Sequence, residues 1–383
     1  MPRLDTRLIH AGEPEPRICG AVVMPIFQSS TYELGDDAGY HDIRYLRLSN
    51  SPNHIALHAK LASLEEGEAA ITTASGMAAI STAILAVLRT GDHLIAQRCL
   101  YGGTHALVTH DLAELGIEVT FVDGDAPDTW AAAVRPTTKL FYCEALTNPT
   151  LEIADLDAIA AFAHDRGIVS MIDATFASPV NFRPLSRGFD LVVHSATKYL
   201  NGHSDIVAGA VIGRRTLVEQ VKHKLDHLGG TLDPHACFLL HRGLKTLGVR
   251  VRHQNATSLA LAEFLAGHPA IAHVNHPGLS SHPRHERAKE LFDGFGGMLS
   301  FELRGGEAAA LTVVKALALA IDAPSLGGPE TLVTLPARTS HVGIEPEMRR
   351  SLGVADGLVR VSVGLEDIAD LRDDFAQALA KLE

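Results

Sequence analysis

This sequence predicts an α/β fold built on a mostly parallel sheet, on three observations. Short apolar runs recur between residues 56 and 245. Amphipathic helical stretches separate them. The runs are continuously apolar rather than alternating, so their strands are covered on both faces. Strand–helix alternation makes the connections crossovers and the sheet mostly parallel. Ligands in such sheets bind at the carboxyl ends of the strands.

The expected strands are Leu94-Ile95-Ala96, Val119-Thr120-Phe121-Val122, Leu140-Phe141-Tyr142-Cys143, Val169-Ser170-Met171-Ile172 and Leu191-Val192-Val193. Leu156 to Arg166 reads as a helix closed by Gly167. Residues 1–55 carry recurrent Pro and Gly without helical periodicity, which predicts an extended N-terminal arm. Such an arm needs something to pack against, most simply another subunit. Residues 56–245 form the expected large domain, and residues 246–383 a smaller α+β domain. The smaller domain opens with a long helix from Leu247 to about Ala266. It continues with strands at Met298–Leu303 and Leu358–Val363, and ends with a helix from Ile368 to Leu382. Leu358–Val363 alternates, as a sheet with one wet face does.

Composition excludes several function classes. The 33 Lys and Arg against 45 Asp and Glu leave a net charge of −12, which argues against nucleic-acid and anionic-membrane partners. Cys19, Cys99, Cys143 and Cys237 are scattered, as free thiols of a reducing compartment are. The N-terminus has no apolar signal-peptide core, and the longest nearly apolar stretch is too short to span a bilayer. A cytoplasmic protein is expected. No metal site is expected: His282-Pro283-Arg284-His285 has metal-like spacing, but its proline and charged flank read as a solvated loop.

The chemistry concentrates in Asp190-Leu191-Val192-Val193-His194-Ser195-Ala196-Thr197-Lys198-Tyr199-Leu200-Asn201-Gly202-His203-Ser204. Lys198 follows a fully apolar strand, where partial desolvation favours the neutral amine that Schiff-base chemistry requires. Ser195 and Thr197 offer hydroxyls to a phosphate. A lone lysine here would more often open a surface loop, but three other features converge on it. Asp173 ends the preceding strand, 25 residues earlier, where a carboxylate can keep a pyridine nitrogen protonated. Gly76 and Met77 fall at the start of a helical run, whose free amides and dipole seat a phosphate. Tyr101 follows the strand Leu94–Ala96, where its ring can stack on a cofactor and its hydroxyl can move protons.

Together these residues resemble the Cys/Met-metabolism, or transsulfuration, family of pyridoxal-phosphate enzymes. The resemblance runs from Thr6-Arg7-Leu8-Ile9-His10-Ala11-Gly12 to Arg360-Val361-Ser362-Val363-Gly364-Leu365-Glu366-Asp367, nearly the whole chain. It implies the fold-type I architecture and pyridoxal 5'-phosphate as cofactor. Lys198 then holds the cofactor as a Schiff base and Asp173 pairs with its ring nitrogen. Gly76, Met77, Ser195 and Thr197 bind the phosphate. Tyr101 stacks on the ring, and Asn148 lies near the cofactor's phenolic oxygen. Arg360 takes the substrate α-carboxylate, with Ser325 nearby. Tyr45 and Arg47 reach the phosphate of a neighbouring subunit, in a homotetramer built from dimers.

The chain departs from the family pattern at four places. Asp173-Ala174-Thr175 stands where Asp-Asn-Thr is usual, and Asn50-Ser51-Pro52 where Asn-Pro-Thr is usual. Pro324 precedes Ser325 where γ-synthases and γ-lyases tend to carry Glu, and Gly103 stands where methionine γ-lyases place a cysteine. The resemblance implies an amino-acid substrate and γ-elimination or γ-replacement on a homocysteine- or homoserine-type side chain, of the cystathionine γ-lyase or γ-synthase kind. Cystathionine β-lyase or methionine γ-lyase activity, or γ-elimination of a non-sulfur leaving group such as canavanine's, are the alternatives. A non-catalytic protein that kept the fold is a remote one.

Overall fold

The computed structural model describes residues 2–35, 39 and 43–382. Two sheets organise it. The larger has seven strands: β1 Ala69–Thr73, β2 His93–Gln97, β3 Glu118–Val122, β4 Thr138–Glu144, β5 Val169–Asp173, β6 Leu191–His194 and β7 Gly209–Gly213, in spatial order β1-β7-β6-β5-β4-β2-β3. β3, β2, β4, β5 and β6 run parallel to one another, while β7 runs antiparallel to both β6 and β1. The second sheet holds β8 Ile271–Asn275, β9 Met298–Leu303, β10 Ile321–Asp322, β11 Leu332–Thr334 and β12 Leu358–Ser362, in order β10-β11-β12-β9-β8 and largely antiparallel.

The apolar runs of β2, β4, β5 and β6 are explained by what lies on each face. Ile95, Phe141, Ile172 and Val192 pack on one side with Leu57, Leu61 and Leu64 of helix α2 (Pro52–Glu65) and with Ile159 and Ala163 of helix Leu156–Asp165. Leu94, Ala96, Leu140, Tyr142, Met171 and Val193 pack on the other with Ala79, Ile80, Ala83 and Ile84 of helix α3 (Gly76–Val87). The second sheet has its own core, where Phe301, Val359 and Val361 meet Leu371 and Phe375 of the C-terminal helix Ile368–Leu379. The 20-residue helix Leu247–Ala266 serves both: Leu247 and Val251 belong to the first core, Leu261 and Leu265 to the second.

Three sequence expectations need correction. The arm is not extended throughout: helix α1 spans Leu4–His10, with Leu8 buried, and α2 already begins at Pro52. Ser51 caps α2 and Pro52 supplies its first turn, so the chain commits to helix before the expected boundary. Residues 36–38 and 40–42 of the arm lie outside the described residues. β12 is buried at all five positions, because its polar residues Arg360 and Ser362 face the interior rather than water. In the His282–His285 loop, His282 is buried and its Nδ1 accepts from the Arg284 amide, while Pro283 and Arg284 stay exposed.

Candidate active site

The carboxyl ends of β4, β5 and β6, the start of α3 and a turn near β12 surround a cavity of about 610 Å3. Pockets of this order hold a cofactor-sized ligand. Lys198, Asp173, Tyr101, Asn148, Gly76, Met77, Ser195, Thr197, Ser325 and Arg360 all line it, which gathers ten of the twelve residues singled out by sequence.

Lys198 sits four residues beyond β6, in a turn where its amide donates to the Ser195 carbonyl and its carbonyl accepts from Gly202. Arg250 braces that turn from helix Leu247–Ala266, donating from Nη1 to the Tyr199 carbonyl at 2.9 Å. The Lys198 side chain is therefore aimed rather than free. Nζ donates to Ser325 Oγ at 2.7 Å. Burial, helped by the Arg360 guanidinium, pulls the amine down to about 8. At neutral pH a useful fraction is then uncharged, as a nucleophilic lysine requires.

Asp173 closes β5 in register with Glu144, the last residue of β4. Burial pushes the Asp173 carboxyl above its ordinary value, and the hydroxyl and amide of Thr175 pull the other way. The Thr175 amide donates to Oδ1 at 2.8 Å. A partly buried carboxylate in this position gains from a facing cation. Burial, reinforced by Asp173, also pushes the Glu144 carboxyl well above its ordinary value.

The opposite end of the cavity is shaped for an anion. Ser75 caps α3, accepting from the Ala78 amide at 3.0 Å, so the first-turn amides of this 12-residue helix face outward. Gly76 is required by close packing: a Cβ there would lie 2.7 Å from Ser195 Cβ. Ser195 is held by its amide, which donates to Thr175 Oγ1 at 2.8 Å. The Thr197 hydroxyl donates to the Ala208 carbonyl and accepts from the Ala208 amide, so it fixes the turn as well as lining the cavity.

Arg360 forms the far wall from the middle of β12, between Thr334 and Ser300 of the flanking strands. Nη1 donates to Asn148 Oδ1 at 3.2 Å and Nη2 to the Ser325 carbonyl at 2.9 Å. Burial lowers this guanidinium to about 10, which leaves it cationic at neutral pH. Nε is buried without a hydrogen-bond partner among the described residues. A buried cation without a carboxylate partner is suited to receive an incoming carboxylate.

Tyr45 and Arg47 do not line this cavity. The Tyr45 side chain is exposed, and Arg47 Nη1 donates to the Asp226 carbonyl at 2.5 Å. Sequence reasoning missed Glu144, Thr175, Phe176, Thr339 and Ser340 as lining residues. Glu144 carried the one available signal, a charge directly after the apolar run Leu140–Cys143.

Pyridoxal phosphate fits the residues present. Its aldehyde needs an amine, its ring nitrogen an anion and its phosphate a cluster of donors. Lys198, Asp173 and the Gly76–Ser195 cradle offer these within one cavity.

Comparison with known proteins agrees with this chemistry. Residues 5–380 match the family model described as Cys/Met metabolism PLP-dependent enzyme. The chain is 42% identical to an L-methionine gamma-lyase of Fusobacterium nucleatum subsp. polymorphum, over 99% of this chain and 98% of that protein. It is 43% identical to a cystathionine gamma-lyase of Bacillus subtilis (strain 168), over 98% of this chain and 99% of the relative. The crystal structure of cystathionine gamma-lyase from Lactobacillus plantarum complexed with L-serine superposes with a TM-score of 0.94 at 37% identity, covering 99% of each chain. With the family model spanning nearly all of it, the chain belongs to the Cys/Met metabolism family of pyridoxal-phosphate-dependent enzymes.

Proposed function

We propose that this enzyme catalyses γ-elimination or γ-replacement on a homocysteine- or homoserine-type amino acid, in the manner of a cystathionine γ-lyase or γ-synthase. One observation carries the reading: Ser325 joins the Lys198 amine to the Arg360 guanidinium. The base and the carboxylate anchor are thereby held at a fixed separation, as an α-amino acid requires.

Bound pyridoxal phosphate supplies an electron sink conjugated with the substrate Cα. Lys198 would hold it through its amine, with Asp173 available to its ring nitrogen, Tyr101 to its ring, Asn148 to its phenolic oxygen, and Gly76, Met77, Ser195 and Thr197 to its phosphate. Arg360 holds the substrate α-carboxylate and so orients the Cα–H bond. Lys198 Nζ, once released, removes the Cα proton and moves a second proton at Cβ. The Tyr101 hydroxyl protonates the departing γ-group. Phe176 and Leu326, both buried, keep water from the reacting carbons.

Tyr45 and Arg47 act in the site of a neighbouring subunit, in a cytoplasmic homotetramer assembled from dimers. The test is a panel of amino acids incubated with the purified enzyme. 2-Oxobutanoate, pyruvate, ammonia and thiol are detected separately. 2-Oxobutanoate from homocysteine, or thiol incorporation into an O-acylhomoserine, is the expected result. Pyruvate alone, from cystathionine, would replace this reading with β-elimination.

A further inference from the structure

We infer that Glu144 is a positioning residue for both walls of the site: its carboxyl group ties the turn that carries Tyr101 to the turn that carries Asn148. The inference rests on the functional reading above, because it concerns how that cavity is held in shape.

Glu144 is 4% exposed and ends β4 at the cavity floor. Oε1 accepts from the Tyr101 amide at 2.6 Å. The Asn148 amide also faces the same carboxyl group and favours its charged form. Glu144 is itself fixed from β2, since its amide donates to Gln97 Oε1 at 3.0 Å. One side chain thus links the ends of two parallel strands to two separate turns.

Those turns carry different parts of the site. Tyr101 projects its ring over the cavity from the start of the short helix Gly102–Ala106. Asn148 Oδ1 holds Arg360 on the far wall. A buried acid beside a second, partly buried acid, Asp173, is an expensive core residue, and an apolar side chain would fill the space at less cost. An apolar side chain cannot serve two backbone amides, however, and the Tyr101 amide would lose its acceptor without Glu144. The cost is therefore offset by geometry at the reacting centre, where sub-ångström displacement matters.

The test uses the full-length protein stripped of cofactor and then titrated. Two dissociation constants are read by absorbance. One is for pyridoxal phosphate. The other, on the reloaded enzyme, is for an α-methyl amino acid, which has no Cα proton to lose. Glu144→Ala is expected to weaken each by about tenfold, the lower end of what a hydrogen bond to a charged group supports. In a Tyr101→Ala background the effect on cofactor affinity should shrink below about threefold, because the clamp then has no ring to hold. A core residue without a positioning role would leave that background effect unchanged.

Both constants within twofold of wild type, in a folded Glu144→Ala protein, would overturn the inference, as would strict additivity with Tyr101→Ala. Should the alanine protein not fold, Glu144→Asp carries the same test, since it keeps the buried carboxyl group and shortens the reach. Wild-type affinities in that variant would equally overturn it. A wild-type chain that binds no pyridoxal phosphate would sink the functional reading and this inference together; wild-type binding with unaltered variants sinks this inference alone.

Discussion

Lys198 and Ser325 meet across the cavity, Nζ to Oγ at 2.7 Å, although 127 residues separate them. Ser325 reaches this position at φ +93°, a region that favours glycine. The hydroxyl and the backbone strain can be separated by two variants. Ser325→Ala removes a hydrogen bond to a cationic group, so kcat/KM should fall about ten- to a hundredfold. Ser325→Gly should lose activity to a similar extent but be about 1 kcal/mol more stable than the alanine protein, because it relieves the positive φ. Thermal unfolding and steady-state kinetics of the pair check this. A fully active Ser325→Ala protein would remove Ser325 from the site.

Lys198 should carry the cofactor itself. The purified enzyme is expected to be yellow, and borohydride should fix the cofactor to the peptide containing Lys198. Lys198→Ala should abolish both. A reducible cofactor linkage persisting in that variant would refute the assignment.

The acid–base state of Lys198 gives a pH prediction. Burial lowers the amine from the usual lysine range to about 8 in the cofactor-free protein. Its charged form is the unreactive one. Capture of added pyridoxal phosphate should therefore speed up about tenfold per pH unit below pH 8 and level off above it. Stopped-flow absorbance on cofactor-free enzyme measures this directly. A rate still rising steeply at pH 10 would mean that the amine keeps the titration of an exposed lysine.

Much of this architecture was legible because it is local. The apolar runs at Leu140–Cys143 and Leu191–Val193 sit on covered strands, and Lys198 and Asp173 follow such runs directly. β1 and β7 were not legible. Ala69-Ala70-Ile71-Thr72-Thr73 and Gly209-Ala210-Val211-Ile212-Gly213 are short and rich in small residues, and they become strands by pairing with each other. Arg250 was invisible for a different reason. Its acceptors, the carbonyls of Tyr199 and Gly243, are brought to it only by the tertiary fold, so no pattern around residue 250 announces them. Glu144 and the turn at Thr339 and Ser340 escaped likewise, because a side chain's aim into a cavity has no sequence period.

Arg47 yields a prediction about assembly. Within its own subunit it packs over the Tyr45 ring and bonds the Asp226 carbonyl, away from the cavity. If it serves a neighbour's phosphate, an Arg47→Ala subunit and a Lys198→Ala subunit should complement each other. Each parent is expected to be nearly inactive. Hybrid dimers contain one site with both residues intact out of two, so dissociation and mixing should restore about half of the activity per hybrid dimer, or about a quarter over an evenly mixed pool. Verified hybrids that stay inactive would assign Arg47 to its own subunit.

Pro324 bears on substrate range. It lines the cavity beside Ser325 and Leu326, and the acidic side chains lining the cavity in this subunit are Glu144 and Asp173 at the strand ends. A substrate whose side chain ends in an ammonium group, as cystathionine's does, needs a carboxylate at its distal end. Proline offers no charge and no backbone donor. A missing charge-assisted contact is worth roughly 1.5–3 kcal/mol, or about ten- to a hundredfold in selectivity. The enzyme should therefore favour γ-substituted amino acids without a distal charge, such as homocysteine or an O-acylhomoserine, over cystathionine. Pro324→Glu should raise kcat/KM for cystathionine relative to those substrates, and high salt should erode the gain if the new contact is partly exposed. Competition assays on the wild-type and variant proteins decide it. A native enzyme that already prefers cystathionine by orders of magnitude would show that another group reads the distal ammonium, and the neighbouring subunit's arm would be the first place to look.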